Sequence, residues 1–180
     1  QMIDMAPTLL DYFEVPIPVD MQGKPLRGVI EDDRPLREAG LFGIFGGHVN
    51  VVDGRYVYMR ACATEANEPC YEYTLMPTHM RSRFAVEELQ EIQLAEPFSF
   101  TKGCRLIKVP ALFRFNPFHY GTMLFDVQND PEQQAPLLDP VVEARLLDYL
   151  VHLMRENDAP VDQFQRLGID PKLSGDQHDE

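Results

Sequence analysis

Two polar side chains that could bind a ligand are two residues apart in a segment with the composition of a β-strand. His48 and Asn50 belong to the run HVNVV at 48–52. Because alternate side chains of a strand lie on the same face, His48 and Asn50 can contact one ligand or a neighbouring domain together. The imidazole ring can serve there as an acid, a base or a hydrogen-bonding group. The alternative is a polar hairpin face that solvent and neighbouring side chains satisfy.

A second polar cluster lies in the run MPTHMRSRF at 76–84, which contains His79 and Arg81. Guanidinium and imidazolium groups donate strong hydrogen bonds to anions, so this run could attract an anionic ligand. The alternative is an ordinary surface loop. The candidate substrate-binding residues are therefore these four: His48, Asn50, His79 and Arg81.

The residues that usually bind a metal or act as nucleophiles form no recognisable motif. Cys62, Cys70 and Cys104 fit no zinc spacing, although Cys62 and Cys70 could close one disulfide loop. Reduced thiols are the simpler interpretation, and they favour a cytoplasmic protein. Asp32 and Asp33 have no metal-binding partner nearby in the sequence and are interpreted as a solvated pair. We therefore assign no catalytic and no metal-binding residue to this chain.

The composition is that of an acidic chain with ordinary globular character. The 180 residues include 44% hydrophobic and 25% charged residues, and the formal net charge is −13. This length suggests one domain, or a domain with appendages. The negative charge argues against nucleic acids and anionic membranes as partners of the whole surface. No stretch approaches the roughly 18 apolar residues of a membrane span.

Strand-like composition dominates the centre of the chain. The predicted strands occupy the following segments: 41–45, 48–52, 55–61, 70–76, 104–111 and 122–127. Asp53 and Gly54 predict a hairpin with those two residues at the centre of the turn, which pairs Val51 with Tyr56. On this pairing Val49, Val51, Tyr56 and Tyr58 form a core face, while His48 and Asn50 lie on a mixed face.

Three helices are predicted around these strands. The first spans 4–13 with Asp4 as its N-cap, the second covers 85–95, and the last begins at Asp139 as cap with Pro140 in the first position. Residues 19–40 form a polar connection with at most one helical turn. Together these elements predict an α+β fold, in which helices pack on a small antiparallel sheet. The predicted division is 1–40, 41–168 and a loose tail at 169–180.

Two segments of the chain resemble sulfatases, which belong to the alkaline phosphatase superfamily. LFDVQNDPEQ at 124–133 is similar to the segment Leu-Tyr-Asp-Leu-x-x-Asp-Pro-x-Glu near the sulfatase C-terminus. The run 3–26 resembles the segment Asp-Ile-x-Pro-Thr-Leu-Leu-Asp, which in sulfatases follows the catalytic domain. The matching residues of this run are Asp4, Pro7, Thr8, Leu9, Leu10 and Asp11. Glu14 departs where the family prefers Gly, and Pro25 stands where Ser is usual.

The resemblance implies that this chain is the C-terminal subdomain of an alkaline-phosphatase-like fold. Residues 1–40 would then belong to the end of the catalytic domain, and the rest of that domain would be the partner of this chain. In the longer protein the resemblance implies a formylglycine nucleophile, a divalent cation (calcium or magnesium) and a small-molecule sulfate ester as substrate. The formylglycine comes from a Cys/Ser-x-Pro-x-Arg motif, which none of the three cysteines begins. The 180 residues alone are therefore expected to hydrolyse nothing.

Two other functions remain open from the sequence. The chain could be a non-catalytic interaction or assembly module descended from that subdomain. It could also be the equivalent segment of a phosphonate or phosphodiester hydrolase of the same superfamily, because the C-terminal segment does not separate sulfuryl from phosphoryl chemistry.

Overall fold

The structure, a computed structural model, describes residues 1–111 and 115–172. The chain divides into two compact units, Gln1–Gly40 and Leu41–Glu180. The helices are α1 (Met5–Tyr12), α2 (Arg27–Asp32), α3 (Val86–Gln90), α4 (Pro140–Glu156) and α5 (Val161–Leu167). The strands are β1 (Gly40–Gly43), β2 (Val49–Val52), β3 (Tyr56–Arg60), β4 (Tyr71–Thr74), β5 (Gln93–Ala95), β6 (Leu106–Pro110) and β7 (Met123–Asp126). The α+β class predicted from the sequence is confirmed.

The first unit is organised around the buried carboxylate of Asp4. Both oxygens of Asp4 accept hydrogen bonds from the guanidinium of Arg37, at 2.5 and 2.6 Å, and one accepts the backbone N–H of Lys24 at 2.9 Å. Arg37 holds the pKa of Asp4 well below its usual range. Asp4 does occupy the N-cap position of α1, but its side chain makes no cap hydrogen bond. The predicted capping role is wrong, because the carboxylate binds a guanidinium instead.

Two further residues of α1 fix the connection that follows it. The hydroxyl oxygen of Thr8 accepts the backbone N–H of Leu26 at 3.0 Å. The carboxylate of Asp11 accepts a hydrogen bond from Arg27 at 2.7 Å. Residues 19–40 therefore fold back along α1, and the single helical turn predicted there is the six-residue helix α2.

The second unit contains two antiparallel sheets instead of the one predicted. The first sheet has four strands in the order β1-β2-β3-β7, and the second has three in the order β4-β6-β5. The helix predicted over 85–95 is wrong in its second half, because only Val86–Gln90 is helical. Leu94 of β5 lies opposite Ile107 of β6. Strand pairing with β6 thus overrides the helical preference of this segment.

The turn between β2 and β3 is centred one residue later than predicted. The backbone N–H of Asp53 donates to the carbonyl of Tyr56 at 3.2 Å, so the two central residues are Gly54 and Arg55. The Asp53 carboxylate accepts the backbone N–H groups of Arg55 at 3.0 Å and Tyr56 at 2.7 Å. Gly54 adopts a φ of +93°, a conformation that glycine supplies at little cost.

The pairing of β2 with β3 is therefore shifted by two residues from the prediction. Val51 lies opposite Tyr58 instead of Tyr56, and Asn50 lies opposite Met59. A shift of two residues moves no side chain to the other face. Val51 and Tyr58 are both fully buried, as expected for the core face, and Asn50 lies on the opposite one.

Helix α4 packs against β2 and β3 and supplies much of the core of the second unit. Its predicted cap is confirmed, because the Asp139 carboxylate accepts the backbone N–H groups of Val141 and Val142 at 3.1 Å. The buried side chains of α4 are Leu146, Leu150, Val151 and Met154. Helix α5 was not predicted. Ile169, assigned to the tail by the prediction, is buried, and 173–180 lie outside the described residues.

Candidate ligand-binding site

An open cavity of about 570 Å³ lies within the second unit, at the four-stranded sheet. Residues of β1, β2, β3 and the segment 115–120 line it. Both His48 and Asn50 are among these residues, so the structure brings the two predicted side chains together in one cavity. Val51 lies on the core face of the sheet, and Asn50 lies on the opposite face.

The hydrogen bonds of His48 determine which of its ring nitrogens carries a proton. Nε2 lies 2.9 Å from the carbonyl oxygen of Gly121. A carbonyl accepts hydrogen bonds and cannot donate one, so Nε2 carries the hydrogen. In the neutral ring, Nδ1 is then the acceptor.

Asn50 is a buried polar side chain with an unsatisfied atom. Only 6% of its surface is exposed, and Oδ1 is buried with no hydrogen-bond partner among the described residues. A buried amide oxygen without a donor costs about 1 to 3 kcal/mol. Folded proteins retain few such groups, and each of them calls for an explanation such as a bound water or ion.

The walls of the cavity are apolar. The large apolar side chains among the lining residues are Phe42, Ile44, Met59, Phe115 and Tyr120. Of these, Tyr120 is 74% exposed and Ile44 is 61% exposed, so the cavity presents apolar surface to solvent. Among the described lining residues there is no Asp, Glu, Lys or Arg.

Two glycines are needed for this shape. A Cβ atom on Gly43 would lie 2.7 Å from the carbonyl oxygen of His48, so any side chain there would push β1 away from β2. Gly47 closes a turn by donating its backbone N–H to Ile44 at 3.0 Å. A Cβ atom on Gly47 would lie 2.8 Å from the Ile44 side chain. Gly46 and Gly47 therefore both belong to this turn.

Arg166 and Asn67 stabilise the turn at Gly46 and Gly47 through hydrogen bonds to its carbonyl groups. The sequence pattern predicts neither residue. Arg166 is 2% exposed, and its Nη1 donates to the carbonyl of Gly47 at 3.2 Å and to Oδ1 of Asn67 at 2.9 Å. The Asn67 amide donates to the carbonyl of Gly46 at 2.8 Å. Burial lowers the pKa of Arg166, which makes no ion pair with a carboxylate of the described residues. No local sequence pattern predicts contacts across about a hundred residues.

His79 and Arg81 are not among the residues that line the cavity. Both ring nitrogens of His79 face carboxylates, with Nε2 2.8 Å from Glu88 and Nδ1 3.2 Å from Glu72. The ring also stacks edge-on against Phe84, with centroids 4.6 Å apart. Arg81 is exposed. A role of this pair in substrate binding stays a prediction, and these contacts of His79 are those of a structural residue.

Asp126, in the second segment that resembles sulfatases, is also engaged in structural contacts. Its carboxylate accepts hydrogen bonds from Arg55 at 2.8 and 3.1 Å and from the side-chain amide of Asn129 at 2.8 Å. Arg55 is the main cause that lowers the pKa of Asp126 to about 2. Like Asp4 in the first unit, Asp126 is a carboxylate held by an arginine.

The lowered pKa of Asp126 predicts a pH-dependent stability. The carboxylate has an ordinary pKa of 3.8 and a folded-state pKa of about 2, so its contribution is complete above pH 3.8. That contribution should be lost as the pH falls through about 2, where the folded state also binds the proton. We expect D126N to be less stable than the wild type at neutral pH, with the difference shrinking between these two values. Urea unfolding across this pH range measures it, and a difference that stays constant would contradict the prediction.

The described residues do not fit the catalytic groups of a sulfatase. Among them there is no cluster of three His, Cys, Asp or Glu side chains that could hold a metal ion. Cys62 and Cys70 are buried free thiols, and Cys104 is an exposed one. The cation and the formylglycine thus remain predictions about a longer protein. Within the described ranges, no helix combines the length and apolar character that crossing a membrane requires.

No family model and no curated protein matches this chain. Among solved structures, a sulfatase from Bacteroides thetaiotaomicron, studied for the metabolism of multiple glycosaminoglycans, matches with a TM-score of 0.49 and 14% sequence identity. The match covers 92% of this chain and 28% of the sulfatase chain. This chain therefore spans under a third of the length of the structure it matches.

Proposed function

We propose that this chain is the C-terminal segment of a sulfatase-type hydrolase. In the longer protein it would cap the catalytic domain, which hydrolyses sulfuric esters with its own nucleophile and cation. The cavity at His48 and Asn50 would border the substrate pocket. The resemblance of 3–26 and 124–133 to sulfatase segments suggests this role.

The single observation that carries the proposal is the exposed apolar surface of the first unit. The large apolar side chains exposed at α1 and its ends are Met2, Ile3, Met5, Leu9, Tyr12 and Phe13. A helix of eight residues is marginal alone and needs a surface to bury its apolar side chains. Contiguous exposed apolar surface marks an interaction site. In our proposal the catalytic domain covers this surface.

The acids Asp4 and Asp126 of the two sulfatase-like segments support a structural role for the chain. Asp4 binds Arg37 and Asp126 binds Arg55, so neither carboxylate is available as a general acid or base. A segment whose motif residues are engaged in this way supports the fold of a larger enzyme. The chemistry then belongs to the domain that it covers.

A charge placed on the exposed surface of α1 tests the proposal in the longest natural protein that contains this chain. Leu9 is 54% exposed, so L9D should leave the segment folded but bury a carboxylate against the catalytic domain. We expect at least tenfold lower hydrolysis of 4-nitrophenyl sulfate, or loss of the folded enzyme.

The matched control is L94D, the same substitution at a leucine of β5 that is 63% exposed. It should leave hydrolysis unchanged. Equal activity of L9D and L94D would contradict the proposed cap. If the protein hydrolyses phosphate or phosphonate esters but not sulfate esters, the related phosphonate or phosphodiester hydrolases are favoured. A natural protein with neither activity and no Cys-x-Pro-Ser-Arg block would favour the interaction module.

A further inference from the structure

We propose that the cavity at His48 and Asn50 binds a neutral, ring-shaped small molecule that carries a hydroxyl group. The inference uses residues of the second unit alone, so it does not depend on the proposed sulfatase function. Its volume of about 570 Å³ falls within the roughly 300 to 1,000 Å³ of small-molecule sites. Such sites combine apolar walls with a few placed polar groups, as this cavity does.

The polar groups of the cavity select a hydroxyl. Nδ1 is the His48 ring nitrogen that can accept a hydrogen bond, because Nε2 donates to the carbonyl of Gly121. The Asn50 amide carries an acceptor and a donor side by side, and its oxygen has no partner among the described residues. A hydroxyl group both donates and accepts. It can therefore donate to His48 Nδ1 and accept a hydrogen bond from the side-chain N–H groups of Asn50.

The walls select a ring. Phe42, Phe115 and Tyr120 offer aromatic faces, and Ile44 and Met59 add flexible apolar surface. Aromatic side chains stack against flat rings at centroid distances of about 4.5 to 7 Å. The exposed fraction of Tyr120, 74%, leaves its ring available for such contact. A planar or nearly planar ring with apolar faces thus fits these walls.

The charge of the lining excludes an anionic ligand. No described residue that lines the cavity is charged, and the chain carries a formal net charge of −13. A sulfate or phosphate group would enter the cavity without a counter-charge and lose its hydration. The cavity would accordingly hold the neutral part of a molecule and leave any anionic group outside.

The cavity is held in shape before a ligand arrives. Arg166 and Asn67 bond the carbonyls of Gly47 and Gly46 from the side of the core. The close approach at Gly43 fixes β1 against β2. Binding a ligand therefore costs little conformational entropy in the protein, and this low cost favours the binding of small molecules.

Titration of the 180-residue chain with four probes tests the proposal. NMR chemical shifts of the backbone and side-chain amides report the binding of each probe. Phenol and methyl β-glucoside are rings with hydroxyl groups, toluene lacks the hydroxyl, and phenyl sulfate adds a negative charge. We expect saturable shifts at Asn50 and Tyr120 with at least one hydroxylated probe, and at least tenfold weaker binding of toluene and phenyl sulfate. Binding of phenol alone would identify an aromatic ligand, and binding of the glucoside alone a saccharide.

Two variants separate binding from folding. N50L removes the unsatisfied amide, so it should weaken binding about tenfold while the unfolding midpoint stays equal or rises. Y120S changes an exposed ring and should weaken binding without affecting the midpoint. The control Q93L, on the other sheet, should bind as the wild type does. Three results would each overturn the proposal. The first is that neither hydroxylated probe gives saturable shifts, and the second is that phenyl sulfate binds as tightly as the hydroxylated probes. The third is that N50L and Y120S both bind the probes as tightly as the wild type does.

Discussion

Replacing Arg166 with methionine should lower the free energy of unfolding of the second unit by about 2 to 3 kcal/mol. The substitution leaves the buried carbonyl of Gly47 and the amide oxygen of Asn67 without their donor. Part of the loss is offset, because a buried guanidinium is itself costly to desolvate, as its lowered pKa shows. Urea unfolding followed by circular dichroism measures the change.

The matched control is R105M. Arg105 is exposed and pairs with an exposed Glu96 at 3.0 Å. Exposed pairs contribute little, so we expect a change below about 1 kcal/mol. Equal effects of R166M and R105M would show that the buried contacts of Arg166 contribute nothing to stability. A larger loss in R166M should also open the turn at Gly46 and Gly47 and thus weaken ligand binding in the cavity.

Replacing Asp4 with alanine should unfold much of the first unit. Asp4 is fully buried and binds both terminal nitrogens of the Arg37 guanidinium, so its loss removes the carboxylate that this partly buried charge and the N–H of Lys24 contact. Breaking a buried ion pair from one side costs about 3 to 5 kcal/mol. Hydrogen exchange of the Lys24 amide in the intact chain should accelerate by about a hundredfold or more.

Asp11, in the same helix, provides the control for this substitution. Its carboxylate pairs with Arg27, whose side chain is half exposed, so D11A should cost less than about 1 kcal/mol. The exchange of Lys24 should then change by no more than a few fold. An equal exchange rate in D4A and D11A would contradict the central position of Asp4 in this unit.

Interactions between residues close in the sequence were the ones that sequence analysis predicted best. Asp139 followed by Pro140 predicts the start of α4, because a cap needs only the residues beside it. The alternation along β2 predicts the faces of Val51 and Asn50 for a similar reason. The register itself failed, since the side chain of Asp53 bonds the turn and moves its centre by one residue.

Interactions between distant residues were not predictable from the sequence. The local pattern predicts Asp4 as a helix cap. Its actual partner, Arg37, lies 33 residues away and is not part of that pattern. The segment 93–95 has a helical composition, and only its pairing with β6 makes it a strand. No local pattern predicts the burial of Arg166, because its contact with Asn67 joins residues 99 positions apart.

In the candidate site, too, contacts between residues close in the sequence are predictable and contacts between distant residues are not. The spacing of His48 and Asn50 predicts that they share a face, and they share a cavity. The walls come from Phe42, Met59 and Phe115, which are far apart in the sequence and meet only in the fold. From their sequence context His79 and His48 are equal candidates, and only the structure places His79 between two carboxylates.

The most direct test of the proposed function compares two chains in one assay, the longest natural protein that contains this sequence and the 180 residues alone. The substrate is 4-nitrophenyl sulfate, supplied with calcium or magnesium. We predict that the longer protein hydrolyses the ester and that the 180 residues do not. Hydrolysis by the 180 residues themselves would contradict the proposed role as a cap.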